Sequence, residues 1–130
     1  MKCKTILENA LRLLGETVAD GENEDYEERA PYILATLCSQ LSGLDAVARR
    51  ILGESAATAF NEIYLPLTSS FPLLSRFAAP AAIYLAAMLV LDDNSEFADK
   101  LYAMYSDSIS SIHDSICGAS EQTVNRYFVD

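Results

Sequence analysis

Residues 81–91 read Ala81-Ala82-Ile83-Tyr84-Leu85-Ala86-Ala87-Met88-Leu89-Val90-Leu91, an apolar run with no charge in it. Asp92, Asp93, Asn94 and Ser95 interrupt the run, and an amphipathic period then begins. Phe97, Leu101, Met104, Tyr105, Ile109, Ile112 and Ile116 recur at spacings of three, four and their sums, which places all seven on one face of a 3.6-residue helix. Burying one such side chain is worth roughly 1.5–3 kcal/mol, so this face is the largest single source of cohesion in the sequence. Ala78 to Cys117 therefore reads as two consecutive helices around which the chain is organised. The first is hydrophobic on every side and needs partners on every side. Either the other helices enclose it or part of it faces another subunit, and Ala81, Ala82, Ala86 and Ala87 offer flat ground for close approach in both cases.

Upstream, Ile6, Leu7, Ala10, Leu11 and Leu14 trace a helical stripe that Gly15 is placed to stop. Thr5 and Glu8 suit a capping box, with Lys2–Lys4 as an optional extra turn. A polar connection over residues 16–24 leads to a second helix starting near Asp25, with Glu24, Asp25, Glu27 and Glu28 at its positive dipole end. Pro31 should kink that helix or delay its regular start. Ile33, Leu34, Leu37, Cys38 and Leu41 form its buried stripe, and Ser42-Gly43 is expected to end it. Leu44 to Gly53 then reads as a separate short helix, with Asp45 near its start and Arg49-Arg50 near its end. Residues 54–70 are the irregular part, where Ile63-Tyr64-Leu65-Pro66-Leu67 reads as a brief strand or an extended loop. Ser69 or Ser70 is a candidate cap for a helical segment carrying Pro72. Pro80 starts or bends the apolar helix. The last helix is expected to stop at Gly118, leaving Ala119–Asp130 as a tail.

The 130 residues suit one domain with a real core: 51% are hydrophobic and 22% charged, which argues against wholesale disorder. A net charge of −10 repels phosphate backbones and anionic lipid, so nucleic-acid binding through a basic patch is disfavoured. The apolar run falls well short of the roughly 20 residues a membrane-spanning helix needs. The N-terminal residues lead straight into an amphipathic pattern without a signal-peptide apolar block. Cys3, Cys38 and Cys117 are odd in number and far apart, and read as free thiols in a reducing compartment.

The search for chemistry returns little. His113 stands among Ser110, Ser111, Asp114 and Ser115, but neighbours along a helix point in different directions and make no triad, so it reads as an exposed or rim histidine. The acidic run Asp20–Glu28 lacks the alternation, central glycine and distal Glu of a calcium loop. Asp92-Asp93 reads as a turn with a cap. One His and no paired Cys spacing argue against zinc. The expectation is no catalytic residue, no metal and no cofactor. What exceeds this baseline is the apolar helix and the tail, giving Tyr84, Met88, Arg126, Tyr127 and Phe128 as candidate subunit-interface residues.

Three stretches carry a likeness to a known family: the opening helix with Asp25-Tyr26-Glu27-Glu28-Arg29-Ala30, the middle Leu65-Pro66-Leu67, and Pro80 to Leu89 followed by Asp92-Asp93-Asn94 and Phe97 through Tyr105. In that layout the chain resembles the small helical head–tail connector proteins, also called adaptor or neck proteins, of tailed bacteriophages and prophages. The likeness spans most of residues 4–116 as a layout; the cysteines and the tail after Gly118 have no counterpart in it. It implies a structural virion protein, made in the bacterial cytoplasm, that forms a homo-oligomeric ring beneath the portal. Its partners would be the portal and other neck or tail proteins, and DNA would pass through the ring without being bound. The competing readings are a bacterial helical protein-interaction or regulatory domain that binds one partner in a groove, and a small enzyme whose site would converge on His113 or on clustered carboxylates.

The expected fold is all-α, a compact bundle of four to five helices with an irregular segment around residues 54–70. Residues 1–118 would form a single helical domain, residues 119–130 a tail that either docks on a neighbouring subunit or packs on its own domain or frays, and Ala81–Leu91 the most buried helix.

Overall fold

A computed structural model of the chain describes residues 1–16, 23–55 and 59–128, those from 119 to 128 by their backbone alone. The described residues form four helices, α1 (Cys3–Leu13), α2 (Glu24–Ile51), α3 (Ala78–Val90) and α4 (Ser95–Phe128), with a 3₁₀ turn at Ser75–Phe77 leading into α3. The all-α expectation holds. Residues 59–74 and the neighbouring 54–55 carry no helix of their own, in keeping with the irregular segment read from sequence.

Helix α3 sits at the centre, packed against α1, α2 and α4. Ala78, Pro80, Ala81, Ala82, Leu85, Ala86, Ala87 and Leu89 are all buried. The helices facing it bury small residues too, Ala10 on α1 and Ala30 and Ala35 on α2. Alanine on both sides of a contact lets helix axes come close, so more backbone and Cβ surface meets and little volume is left open. Pro80 falls in the first turn of α3, where its missing N–H costs no intrahelical bond.

Several boundaries differ from the sequence reading. Helix α2 does not end at Ser42-Gly43; one helix runs from Glu24 to Ile51 and includes the segment read as separate. The buried positions Leu34, Leu37, Cys38, Leu41, Asp45 and Ala48 keep one phase across Gly43, and that continuous contact outweighs the ~1 kcal/mol a helical glycine costs. The same helix carries Pro31 in its interior, so the proline does not delay its start. At Gly53 the backbone turns left-handed (φ 79°), and Gly53 N–H and Glu54 N–H donate back to Arg50 and Arg49 carbonyls. Gly15 (φ 74°) ends α1 in the same way, as expected. Gly118 takes no such conformation, and α4 continues through it to Phe128.

Helix α1 begins at Cys3, earlier than a Thr5 cap would place it. The reason lies across the chain: Cys3 and Lys4 donate their backbone N–H groups to the carbonyls of Ser69 and Leu67 at 2.9 Å, and Phe71 N–H donates to Met1 O at 2.8 Å. Residues 67–71 thus cap a helix that has no side-chain cap. Ser69 and Ser70 are occupied in this pairing and do not start a helix; Lys2 and Ser70 form an isolated antiparallel bridge. On α4 the inward stripe keeps six of its seven members, whereas Met104 is 50% exposed because it lies at the edge of the arc the other six define. Asn94, at the end of the acidic turn, caps α4 by accepting from Phe97 N–H at 3.1 Å.

The single buried charge among the described residues, Asp45, is 3% exposed and ties the irregular segment to α2. Its carboxylate accepts from Arg49 Nε and from Leu74 N–H, each at 2.8 Å, while Arg49 Nη2 donates to Pro72 O at 3.1 Å. Asp45→Ala leaves the Leu74 amide and the Arg49 guanidinium short of an acceptor and should lower stability by about 2–4 kcal/mol in urea unfolding. Asp45→Asn retains an acceptor and should lose about half as much. Removing the exposed partner of the Arg29–Asp25 pair by Asp25→Ala should cost less than about 0.5 kcal/mol.

Candidate functional site

An apolar open surface forms where the first half of α2 meets the end of α3. Pro31 is buried, which turns the next residue outward, and Tyr32 stands 54% exposed. Tyr32, Ile33 and Arg29 on α2 face Met88 on α3 and Leu91 just past its end, around an open groove of about 360 Å³. The irregular segment extends this surface: Leu65 N–H donates to Pro31 O at 3.1 Å, and Tyr64 packs edge-on against Tyr32 with ring centres 5.0 Å apart. Arg29 fixes one wall, donating through Nη2 to Met88 O at 3.2 Å and pairing through Nη1 with Asp25 at 3.4 Å. The groove has an apolar floor and a bound guanidinium on its rim, an arrangement suited to an apolar or aromatic protein side chain.

Two further grooves adjoin the same body. One, lined by Asn9, Arg12, Leu13, Ala79, Ala82 and Ile83, lies between α1 and α3. The other is acidic, lined by Glu16, Asn23, Glu24, Asp25, Tyr26 and Asp93. In it the Tyr26 hydroxyl donates to Asp93 Oδ2 at 3.4 Å, and burial together with the Asp93 and Glu16 charges raises its pKa. Among the described residues no group of three or more His, Cys, Asp or Glu side chains converges as a metal site. No helix of the described residues is long and apolar enough to cross a membrane.

The five residues singled out from sequence are not gathered into one site. Met88 lines the apolar groove. Tyr84 instead packs inward against Tyr105, ring centres 5.0 Å apart, with Tyr102 a further 5.8 Å from Tyr105. This tyrosine cluster joins α3 to α4. The side chains of Arg126, Tyr127 and Phe128 lie outside the described residues, as does part of the acidic run, residues 17–22. Tyr32, Leu91 and Tyr64 were missed. The available signal was an aromatic next to a helix-interior proline and an apolar residue abutting an acidic turn. His113 is exposed as expected, and none of the three grooves contains it. Its ring nitrogens lie 3.6 and 3.8 Å from Cys117 Sγ.

All three cysteines are free, Cys3 and Cys38 buried and Cys117 exposed. Comparison with protein-family models, curated proteins and solved structures returns no match.

Burial, with smaller contributions from Cys3 and Asp45, pushes the Cys38 thiol from 9.0 up to about 12. Burial, with Tyr84 and Tyr102, pushes Tyr105 from 10.0 to about 12. Both groups are held neutral in the fold, so the unfolded chain ionises first. Their contribution to stability is complete below about pH 9 and falls as pH rises towards 12. The urea midpoint should therefore decline from about pH 9 upward, and Cys38→Val should remove the part that begins there. Under native conditions a thiol reagent should modify Cys117 at least about tenfold faster than Cys3 or Cys38.

Proposed function

We propose that this chain is a non-enzymatic structural subunit of a tailed-phage or prophage neck, a head–tail connector that assembles into a ring and docks on other virion proteins. The observation that carries the reading is the apolar groove of Tyr32, Ile33, Met88 and Leu91 together with the length of α4. Leu91 lies just before the start of α4, and residues 126–128 lie at its end. The helix has 34 residues, which at 1.5 Å per residue separates the two by about 50 Å. An aromatic-bearing end so far from its own subunit's groove is suited to the groove of a neighbour. Such a contact is heterologous, and heterologous contacts that close by rotation make rings. The acidic charge is compatible with a channel wall past which DNA slides without adhering.

The test is sedimentation velocity and negative-stain electron microscopy on the chain alone and co-expressed with the reading frames that flank its own. A closed ring in either preparation supports the reading, and Met88→Glu or Leu91→Glu should abolish it while leaving helical content unchanged. A chain that stays monomeric in both, or that forms only a one-to-one complex, overturns the connector reading. The one-to-one outcome would favour a helical interaction domain.

A further inference from the structure

The second apolar groove, between α1 and α3, has no part in the ring contacts proposed above. Leu13, Ala79, Ala82 and Ile83 are its apolar lining, and Asn9 and Arg12 its polar one, around an open space of about 360 Å³. Leu13 is 42% exposed and Ala79 is exposed, so this apolar surface meets solvent in the subunit. The chain has nineteen Asp and Glu against nine Lys and Arg, yet the charge at this groove is positive. Arg29 and Arg49 are tied to Asp25 and Asp45. Arg12 instead donates to Asn9 Oδ1 at 3.2 Å, a neutral acceptor on its own helix. Among the described residues it pairs with no carboxylate. Arg76 is exposed three residues before Ala79, in the 3₁₀ turn that leads into α3. That spacing puts a second guanidinium on the Ala79 side.

An apolar surface beside a guanidinium without a carboxylate selects a ligand that carries both an apolar group and a carboxylate, to which Arg can donate two parallel N–H bonds. The net charge of −10 narrows the choice. Nucleic acid or an anionic bilayer presents an extended array of negative charge, which such a chain repels as a whole. One carboxylate set among apolar side chains meets the local field of Arg12 without that cost. The groove is open, whereas a site for a free small amphiphile buries most of the ligand's surface. Its alanines leave flat ground on which a helix can lie. We propose that this groove docks an amphipathic helix of another protein, with Leu, Ile or Phe seated over Ala79 and Ala82 and an Asp or Glu one turn away paired with Arg12. The inference stands apart from the neck reading, since these residues lie on the α1 side of α3 and the ring groove on the α2 side.

Selection from a library of random peptides of about 15 residues, long enough for four helical turns, tests it, with the full chain as target and its Arg12→Glu variant as counter-target. The expected survivors carry Asp or Glu within one turn of Leu, Ile or Phe, although the chain's bulk charge alone would enrich basic peptides. A synthetic copy of the leading survivor should shift the backbone amide NMR signals of residues 9–13 and 79–83. Arg12→Glu should weaken its binding at least about tenfold, and a peptide with Lys in place of the acid should reverse that preference. Ala79→Phe, which fills the groove and leaves Arg12 in place, should abolish binding, and Met88→Glu should leave it unchanged. Arg12 and Ala79 are exposed, and circular dichroism confirms that each variant is folded. Survivors without a carboxylate, no survivors, shifts outside the groove, or binding that persists in Ala79→Phe each overturn the proposal. Submicellar decanoate that displaces the peptide and shifts the same amides overturns it in favour of a free amphiphile.

Discussion

Helix α3 has no polar face, and the rest of the molecule is arranged to keep water from it. Thirteen residues without a charge are unstable as an isolated helix in water, where their length is also marginal. Enclosure by α1, α2 and α4 supplies what the segment lacks. The alanines set how near those helices come, and the larger side chains Leu85, Leu89 and Phe77 fill the remaining volume. The enclosure is incomplete at one end, where Met88 and Leu91 meet solvent beside Tyr32, and that gap is the groove on which the functional reading rests.

The helices were legible from sequence wherever one periodicity ran unbroken between clear stops. The α1 stripe ending at Gly15 and the inward face of α4 are read directly from spacing. Errors came where a local signal competed with a longer-range one. Gly43 looks like a stop, yet the stripe from Leu34 to Ala48 crosses it in phase, and packing outweighs one residue's propensity. Gly118 fails as a stop for a related reason: a glycine ends a helix only when the backbone turns left-handed there. The start of α1 was unreadable locally, because its capping groups are carbonyls of Leu67 and Ser69, more than sixty positions away. Asp45 was read as a helix-start charge and proved to be a buried tether for residues 72–74, a role visible only once the segment has folded back.

The candidate surfaces were less legible than the fold. Tyr84 and Met88 stand four residues apart on one helix and suggest one surface from sequence. In the fold Tyr84 is absorbed into a cluster with Tyr105 and Tyr102, and Met88 alone reaches the groove. The residues that line the groove come from two distant parts of the chain, so no spacing rule brings them together.

The pairing of residues 1–4 with residues 67–71 closes a chain segment of more than sixty residues. Closure of that length carries an entropy cost on the order of 4 kcal/mol. Helix α1 leaves the ribosome before everything it packs upon, and its docking must wait until α3 exists to receive it. During that interval Ile6, Leu7 and Leu11 face water on a segment whose capping partners are not yet made. The first of the four helices to be synthesised is thus among the last to be secured.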